Sequence, residues 1–80
     1  MATKHTETLK IVGLNIAYYR KTKGLTQLNL AEKADISRTF IGHIEAANMS
    51  VGMTLETLLD IAEALEIEPC KLLEIRSYKK

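Results

Sequence analysis

The sequence has little of several residue types on which specialised folds depend. Its 80 residues contain one cysteine, one proline and no tryptophan. With Cys70 alone, the chain has no internal disulfide and no cysteine-based metal site or redox pair. No apolar run approaches the roughly 18 residues that span a bilayer, and the start, Met-Ala-Thr-Lys-His, lacks a secretion signal. These absences predict a cytoplasmic protein with no membrane partner, metal or cofactor.

The chain also has almost no excess of positive over negative charge, because its net charge is only +1. Whole-chain attraction to phosphate is therefore weak. The two parts of the chain differ, however. Residues 1–45 hold seven Lys or Arg against four Asp or Glu, giving +3, whereas residues 46–80 hold four against six, giving −2. Any affinity for nucleic acid has to come from placed contacts in the first part.

The composition, 46% hydrophobic and 26% charged, is typical of one small globular domain. Apolar residues recur at helical spacing in five segments, and no period-two run indicates a strand. Three residues precede such segments and are predicted N-caps: Thr26, Ser37 and Thr54. The first helix is expected from Leu9 to a stop at Gly24, and Pro69 suits the first position of the last helix, which carries apolar residues to Ile75.

Residues 27–46, QLNLAEKADISRTFIGHIEA, contain two short helices joined by a tight turn. The small Ala31 suits a crossing of two helices, and Ile36 is the buried turn residue that a helix-turn-helix requires. The residue before Ile36 has to adopt the left-handed backbone conformation, and here Asp35 replaces the usual glycine. Asp adopts this conformation more readily than most residues, so the segment predicts a helix-turn-helix.

Together these segments resemble the XRE, or phage-repressor-like, helix-turn-helix family. The matching residues are 19–21, 23–27, 30–33, 36–41, 44–45 and 55–65, which are specific in this order and spacing. The resemblance implies an all-α, compact five-helix, lambda-repressor-like DNA-binding domain over residues 9–75, between an N-terminal arm, 1–8, and a polar tail, 76–80. It also implies an ion pair between Arg20 and Glu45 that ties the first helix to the third.

The chain departs from the family pattern at two places. The 46–53 loop lacks the glycine and proline that commonly follow the position of Glu45, and it is somewhat longer. Asn48 in this loop is a candidate phosphate contact, with a plain turn residue as the alternative. Phe40 stands where the family often has tyrosine, so a phenolic hydrogen bond to phosphate is missing and ring packing remains.

The polar face of the third helix carries the candidate base-reading residues. A step of about 100° per residue puts Thr39, Gly42 and His43 opposite the apolar face, with Arg38 projecting from the first turn. Arg38 can donate two parallel hydrogen bonds to guanine, Thr39 can bond a base or touch a thymine methyl, and His43 can donate to an acceptor. The alternative is a solvated polar face. Gly42 indicates either close approach to DNA or a locally weak helix.

Three further residues have two interpretations each. Gln27, at the start of the second helix, is a candidate phosphate contact together with backbone N–H groups, or else an ordinary exposed residue. Ser37 is expected to serve first as a cap and second as a phosphate contact. Cys70 is interpreted as a buried or half-buried small hydrophobe, with a redox sensor as the other interpretation.

The resemblance implies a sequence-specific, double-stranded DNA-binding transcriptional regulator, such as a repressor. No catalytic constellation is present, so an enzyme and a small-molecule ligand are not expected. A symmetric homodimer on a palindromic operator is expected, and the candidates for its interface, or else for the monomer core, are Leu72, Leu73, Ile75 and Tyr78. The same fold could instead act as a protein-interaction module, antitoxin-like or adaptor, through its acidic second half.

Overall fold

The computed structural model describes residues 4–46 and 52–76, and these form five α-helices. The helices are α1 (Thr6–Thr22), α2 (Gln27–Ala34), α3 (Arg38–Glu45), α4 (Leu55–Leu65) and α5 (Pro69–Leu72). Neither described range contains a strand. The predicted all-α, five-helix fold is therefore confirmed.

An apolar core joins the five helices. The largest apolar side chains that are fully buried in it are Ile16, Leu30, Ile41, Ile61, Leu65 and Leu72. α2 packs against α3 and α4, whereas α1 packs against α3, α4 and α5. α1 therefore supports both the helix-turn-helix pair α2–α3 and the C-terminal helix α5.

Hydroxyl groups begin three of the helices, as the sequence predicts. The side chains of Thr26, Ser37 and Thr54 each accept a hydrogen bond from the backbone N–H three residues later, at 3.0, 3.0 and 3.1 Å. The Asn29 side chain also accepts from the Thr26 N–H at 3.1 Å, which completes a capping box. These bonds satisfy N–H groups that a first helical turn otherwise leaves without partners.

α2 and α4 end alike, on a non-glycine residue in the left-handed conformation. Asp35 and Glu66 both have a φ of 59°. In each case the N–H of the following residue donates to a carbonyl five residues back, at 3.0 and 3.1 Å. This pattern closes the helix end, although a left-handed non-glycine residue costs about 1–2 kcal/mol. The left-handed conformation predicted for Asp35 is confirmed.

α1 begins at Thr6 rather than at Leu9, so the predicted boundary of the N-terminal arm is wrong at residues 6–8. The Leu9 N–H donates to the His5 carbonyl at 2.9 Å. Glu7 lies in the first turn, where a carboxylate is stabilised by the positive end of the helix dipole. Polar residues therefore extend the helix beyond the apolar pattern that predicted it.

α5 is shorter than the sequence predicts. It ends at Leu72, so Leu73 and Ile75 follow the helix instead of belonging to it. Leu72 is fully buried, whereas Cys70 is exposed, and the interpretation of Cys70 as a buried or half-buried hydrophobe is wrong. Two positions separate the two residues, which places them on opposite sides of a helix, and Leu72 occupies the side that faces the core.

The C-terminal segment is attached to α1 by a buried amide. Asn15 has no exposed surface, and its Nδ2 donates to the carbonyl oxygens of Leu72 at 2.9 Å and Glu74 at 2.8 Å. The Arg76 guanidinium lies 4.4 Å from the ring centroid of Tyr18, which is a cation–π distance. Residues 72–76 are therefore fixed to α1 although α5 itself is short.

Candidate nucleic-acid interface

The exposed face of α3 carries three polar side chains. Arg38, Thr39 and His43 are all exposed, and Gly42 is half-buried on the same side of the helix. The opposite side of α3 lies in the core. The structure thus brings together two nitrogen donors and a hydroxyl on one face, in the arrangement that the helical periodicity predicts.

A buried ion pair fixes α3 to α1. Arg20 Nε donates to Glu45 Oε2 at 2.7 Å, and Arg20 Nη2 donates to Glu45 Oε1 at 2.9 Å. Arg20 Nη1 also donates to the Leu25 carbonyl at 2.8 Å. The two side chains are only 10% and 5% exposed, so losing either one would leave a buried charge without its partner. The ion pair that the resemblance implies is present.

Gln27, the first residue of α2, also contacts this ion pair. Its Nε2 donates to Glu45 Oε1 at 3.0 Å, and the side chain is half-buried. Gln27 is therefore not an ordinary exposed first-turn residue, because it links α2 to the contact between α1 and α3. Sequence reasoning missed this link, which depends on three residues brought together from three helices.

Gly13 in α1 allows α1 and α3 to approach closely. The residue is buried, and a Cβ built on it would overlap the carbonyl oxygen of Ile44. Any side chain at this position would push the two helices apart. Sequence reasoning missed Gly13, although a glycine inside an amphipathic helix is a signal, since it costs about 1 kcal/mol relative to alanine.

Three predicted DNA-contact residues remain: Ser37, Phe40 and Asn48. The first two make structural contacts within the protein. The Ser37 hydroxyl accepts from the Phe40 N–H at 3.0 Å, so Ser37 caps α3. The Phe40 side chain is half-buried and packs against the core, in agreement with the expected ring packing. Asn48 lies outside the described residues. Ser37 and Phe40 therefore have structural roles besides any contact with DNA.

Exposed apolar side chains lie on α4 and on the segment after α5. They are Leu55, Leu59, Leu73 and Ile75, called the α4–α5 apolar surface below, and Leu55 and Ile75 are each 70% exposed. A groove of about 280 Å³ runs beside Leu55 and Leu73. Two of the predicted dimer residues belong to this surface. Leu72 is wrong as a dimer candidate because it is fully buried in the core, and Tyr78 lies outside the described residues.

Neither a metal cluster nor a membrane span is found in the described ranges. Residues 4–46 and 52–76 hold no group of three or more His, Cys, Asp or Glu placed to bind a metal ion. In the same part of the chain, no helix has both the length and the apolar character needed to cross a bilayer.

Comparisons with known proteins find relatives among regulatory proteins. Residues 16–72 match the family model described as Helix-turn-helix. The chain is 37% identical over 70 residues to the control protein C.SmaI of Serratia marcescens, across 88% of this chain and 81% of that protein. It is 42% identical over 57 residues to the immunity repressor protein of Bacillus phage phi105, across 71% of this chain but only 38% of the repressor.

Solved structures share the fold. The restriction-modification controller protein C.AhdI from Aeromonas hydrophila has a TM-score of 0.73 and 32% identity, over 82% of this chain and 96% of that one. The wild-type restriction-modification controller protein C.Esp1396I has a TM-score of 0.73 and 34% identity, over 81% and 82% of the two chains. The chain therefore belongs to the helix-turn-helix family of DNA-binding transcriptional regulators.

Proposed function

We propose that this chain is a sequence-specific, double-stranded DNA-binding regulator that inserts α3 into the major groove. The observation that carries the proposal is the exposed polar face of α3, on a helix whose other side is fixed to α1 by the Arg20–Glu45 pair. An α-helix fits the major groove, where each base pair shows a different pattern of donors and acceptors. A rigidly held helix presents its side chains to that pattern in one arrangement.

Each side chain on this face has an assigned role in the proposal. Arg38 donates to guanine, Thr39 contacts a base or a thymine methyl, and His43 donates to an acceptor. Contacts to the DNA backbone are assigned to Ser37 and to Gln27 together with the N–H groups at the start of α2, since a helix N-terminus attracts phosphate. Phe40, through its ring, and Asn48 complete this set of proposed backbone contacts.

The protein acts, in this proposal, as a symmetric homodimer on a palindromic operator. The recognition helices of such dimers reach half-sites about 34 Å apart. One copy of α3 contacts few base pairs and the net charge is only +1, so the second copy supplies affinity that a monomer lacks. The α4–α5 apolar surface is assigned to the dimer contact, because covering exposed leucine and isoleucine side chains is favourable.

The regulatory outcome in the proposal is repression, exerted in the cytoplasm without catalysis, metal or small-molecule ligand. The relatives of this chain include a control protein and an immunity repressor. A dimer bound at an operator that overlaps a promoter would block access of other proteins to that DNA. The protein's concentration and its dimerisation would then set the level of repression.

A salt titration tests whether DNA is the partner. Fluorescence anisotropy with a random duplex should show a binding constant that falls with salt, with a log–log slope of about −0.9 for each contacted phosphate. If micromolar protein does not bind random duplex at ~50 mM salt, the proposal is contradicted, and the protein-interaction module becomes the better explanation.

Selection of preferred sites from random duplexes tests the role of α3. Arg38→Ala should relax the preference at one position of each half-site, at a cost of about 1–3 kcal/mol. Lys71→Ala removes the same charge from α5 and is the matched control, whose selected sites should equal those of the wild type. An unchanged profile with Arg38→Ala would remove Arg38 from the set of base-reading residues.

A further inference from the structure

We infer that Gln27 and Arg38 together read one G·C base pair in each half-site. In this inference Arg38 donates to the guanine, and Gln27 Oε1 accepts from the amino group of the paired cytosine. The inference rests on the proposed function. It goes further by specifying a base pair and by giving α2, as well as α3, a residue that reads sequence.

The orientation of the Gln27 amide is fixed by the ion pair. The oxygen and nitrogen of an amide side chain are distinguished by their partners. Here the partner at 3.0 Å is Glu45 Oε1, and the same carboxylate accepts two hydrogen bonds from Arg20. A carboxylate only accepts, so it requires the amide nitrogen of Gln27. The reverse orientation would bring two acceptors together, and Gln27 Oε1 is therefore held on the side away from Glu45.

Gly42 separates this acceptor from a donor. A Cβ built on Gly42 would lie 3.7 Å from Gln27 Oε1 and 3.7 Å from Arg38 Nη1. These two atoms are therefore at most about 7.4 Å apart, twice that distance. In the part of the chain that the structure describes, no other atom lies within 4 Å of that point, apart from the two residues adjacent to Gly42 in the chain and the nearby backbone of α3. An acceptor and a donor thus lie beside Gly42, on the side of α3 that the proposal turns towards the major groove.

The major-groove edge of a G·C pair has the complementary order of groups. Guanine offers two acceptors, N7 and O6, and the amino group of cytosine lies next to O6 as a donor. The planar guanidinium of Arg38 matches the two acceptors, and Gln27 Oε1 matches the amino group. At an A·T pair, the adenine amino group would take the place of guanine O6. That amino group is a donor and would face a donor of Arg38, so an A·T pair would be disfavoured.

Close approach of this base pair accounts for the glycine at position 42. The fold itself does not require glycine there, because 3.7 Å is an ordinary contact distance for a Cβ. A glycine within a helix nevertheless costs stability relative to alanine. A base pair contacted by both Gln27 and Arg38 has to come close to the helix at Gly42. A side chain at position 42 would occupy the same space.

Base analogues test the inference on the operator obtained by selection with the wild-type protein. We expect one invariant G·C pair in each half-site. N4-methylcytosine at that pair replaces the amino hydrogen in the major groove by a methyl group, and it should weaken wild-type binding roughly 2- to 12-fold per half-site, the range for one hydrogen bond. The same analogue at a G·C pair outside the half-sites should have no effect.

Two protein variants assign the two contacts separately. Gln27→Met keeps the side-chain length but lacks the amide oxygen, and it should bind methylated and unmethylated operators equally. 7-Deazaguanine, which lacks N7, should weaken binding by the wild type but not by Arg38→Ala. Thermal unfolding checks that Gln27→Met folds, and Gln27→Asn, whose shorter side chain withdraws the oxygen, replaces it if it does not.

The outcomes separate this inference from the proposed function. An operator without an invariant G·C pair, wild-type binding that ignores N4-methylcytosine at that pair, or an equal loss with wild type and Gln27→Met would each overturn the inference and leave DNA binding intact. A protein that selects no sequence at all would contradict the proposed function itself.

Discussion

The α3 face and the α4–α5 apolar surface differ in how their side chains are held. Around α3, hydrogen bonds from Arg20 and Gln27 converge on Glu45, and Gly13 brings α1 against the backbone of α3. The α4–α5 apolar surface consists of leucine and isoleucine side chains that project into solvent. One surface is therefore positioned by directional contacts, whereas the other offers apolar area.

This difference matches what the two surfaces are proposed to do. Reading base edges requires side chains to be held within about 0.5 Å of the productive geometry, so small displacements of α3 are costly. Apolar association depends mainly on the area removed from water and is not directional. Substitutions at the α1–α3 contact should therefore lower stability, while substitutions on the α4–α5 apolar surface should change self-association alone.

Breaking the ion pair should have the largest effect. Glu45→Ala removes the carboxylate that accepts from both Arg20 and Gln27 and leaves the Arg20 charge buried. We expect the free energy of unfolding to fall by about 3–5 kcal/mol in a denaturant titration. Glu32→Ala on the exposed side of α2 is the control and should stay within about 0.5 kcal/mol of the wild type. A loss below about 1 kcal/mol for Glu45→Ala would mean that the pair does not fix α3.

The same glycine-to-alanine substitution should have opposite effects at two positions. Gly13→Ala should cost about 1–3 kcal/mol, because the new methyl group overlaps the Ile44 carbonyl oxygen. Gly42→Ala meets only ordinary contacts and should raise stability by up to about 1 kcal/mol through helix propensity. Thermal unfolding of the two variants measures both effects. Equal signs would show that close packing of α1 on α3 is not what distinguishes the two glycines.

Charge on the apolar surface should weaken self-association without unfolding the protein. Leu55→Lys should raise the dimer dissociation constant at least about tenfold in analytical ultracentrifugation, since burying one leucine contributes about 1.5–3 kcal/mol. Leu28→Lys on α2, at a leucine that is 54% exposed, is the matched control and should leave self-association unchanged. The assignment of the dimer to the α4–α5 apolar surface fails if both variants weaken association equally.

The smallest effects should come from the two helix ends with a left-handed residue. Asp35 ends α2, in the helix-turn-helix, and Glu66 ends α4, which carries part of the α4–α5 apolar surface. Glu66→Gly should stabilise the protein by about 1 kcal/mol, because glycine adopts positive φ without a steric cost. Asp35→Gly should gain less, since aspartate tolerates this conformation better than glutamate does. Chemical denaturation can rank the two gains. A loss of stability with Glu66→Gly would show that its side chain contributes more than its backbone costs.

Local rules were sufficient for much of the fold. The caps at Thr26, Ser37 and Thr54 follow from short-range hydrogen bonding, and the exposed face of α3 follows from helical periodicity. The Arg20–Glu45 pair came from the family resemblance, because no local rule joins residues from two helices. Glu66 shows the limit of such rules, since glutamate gives no signal for a left-handed helix end.

Contacts between distant segments could not be predicted. The bonds of Asn15 reach carbonyl groups of residues 57 and 59 positions away, and they depend on how α5 meets α1. A polar residue on the apolar face of α1, between Val12 and Ile16, was the available signal. The exposure of Cys70 likewise depends on the short α5, whose apolar pattern continues past its end.

The ratio of two dissociation constants tests the central claim most directly. It compares a random duplex with the selected operator at ~150 mM salt, using the wild-type protein. If the α3 face reads sequence, this ratio should reach at least about 10³, and Arg38→Ala should reduce it roughly 5- to 150-fold. A wild-type ratio near one would contradict the claim that α3 recognises a DNA sequence.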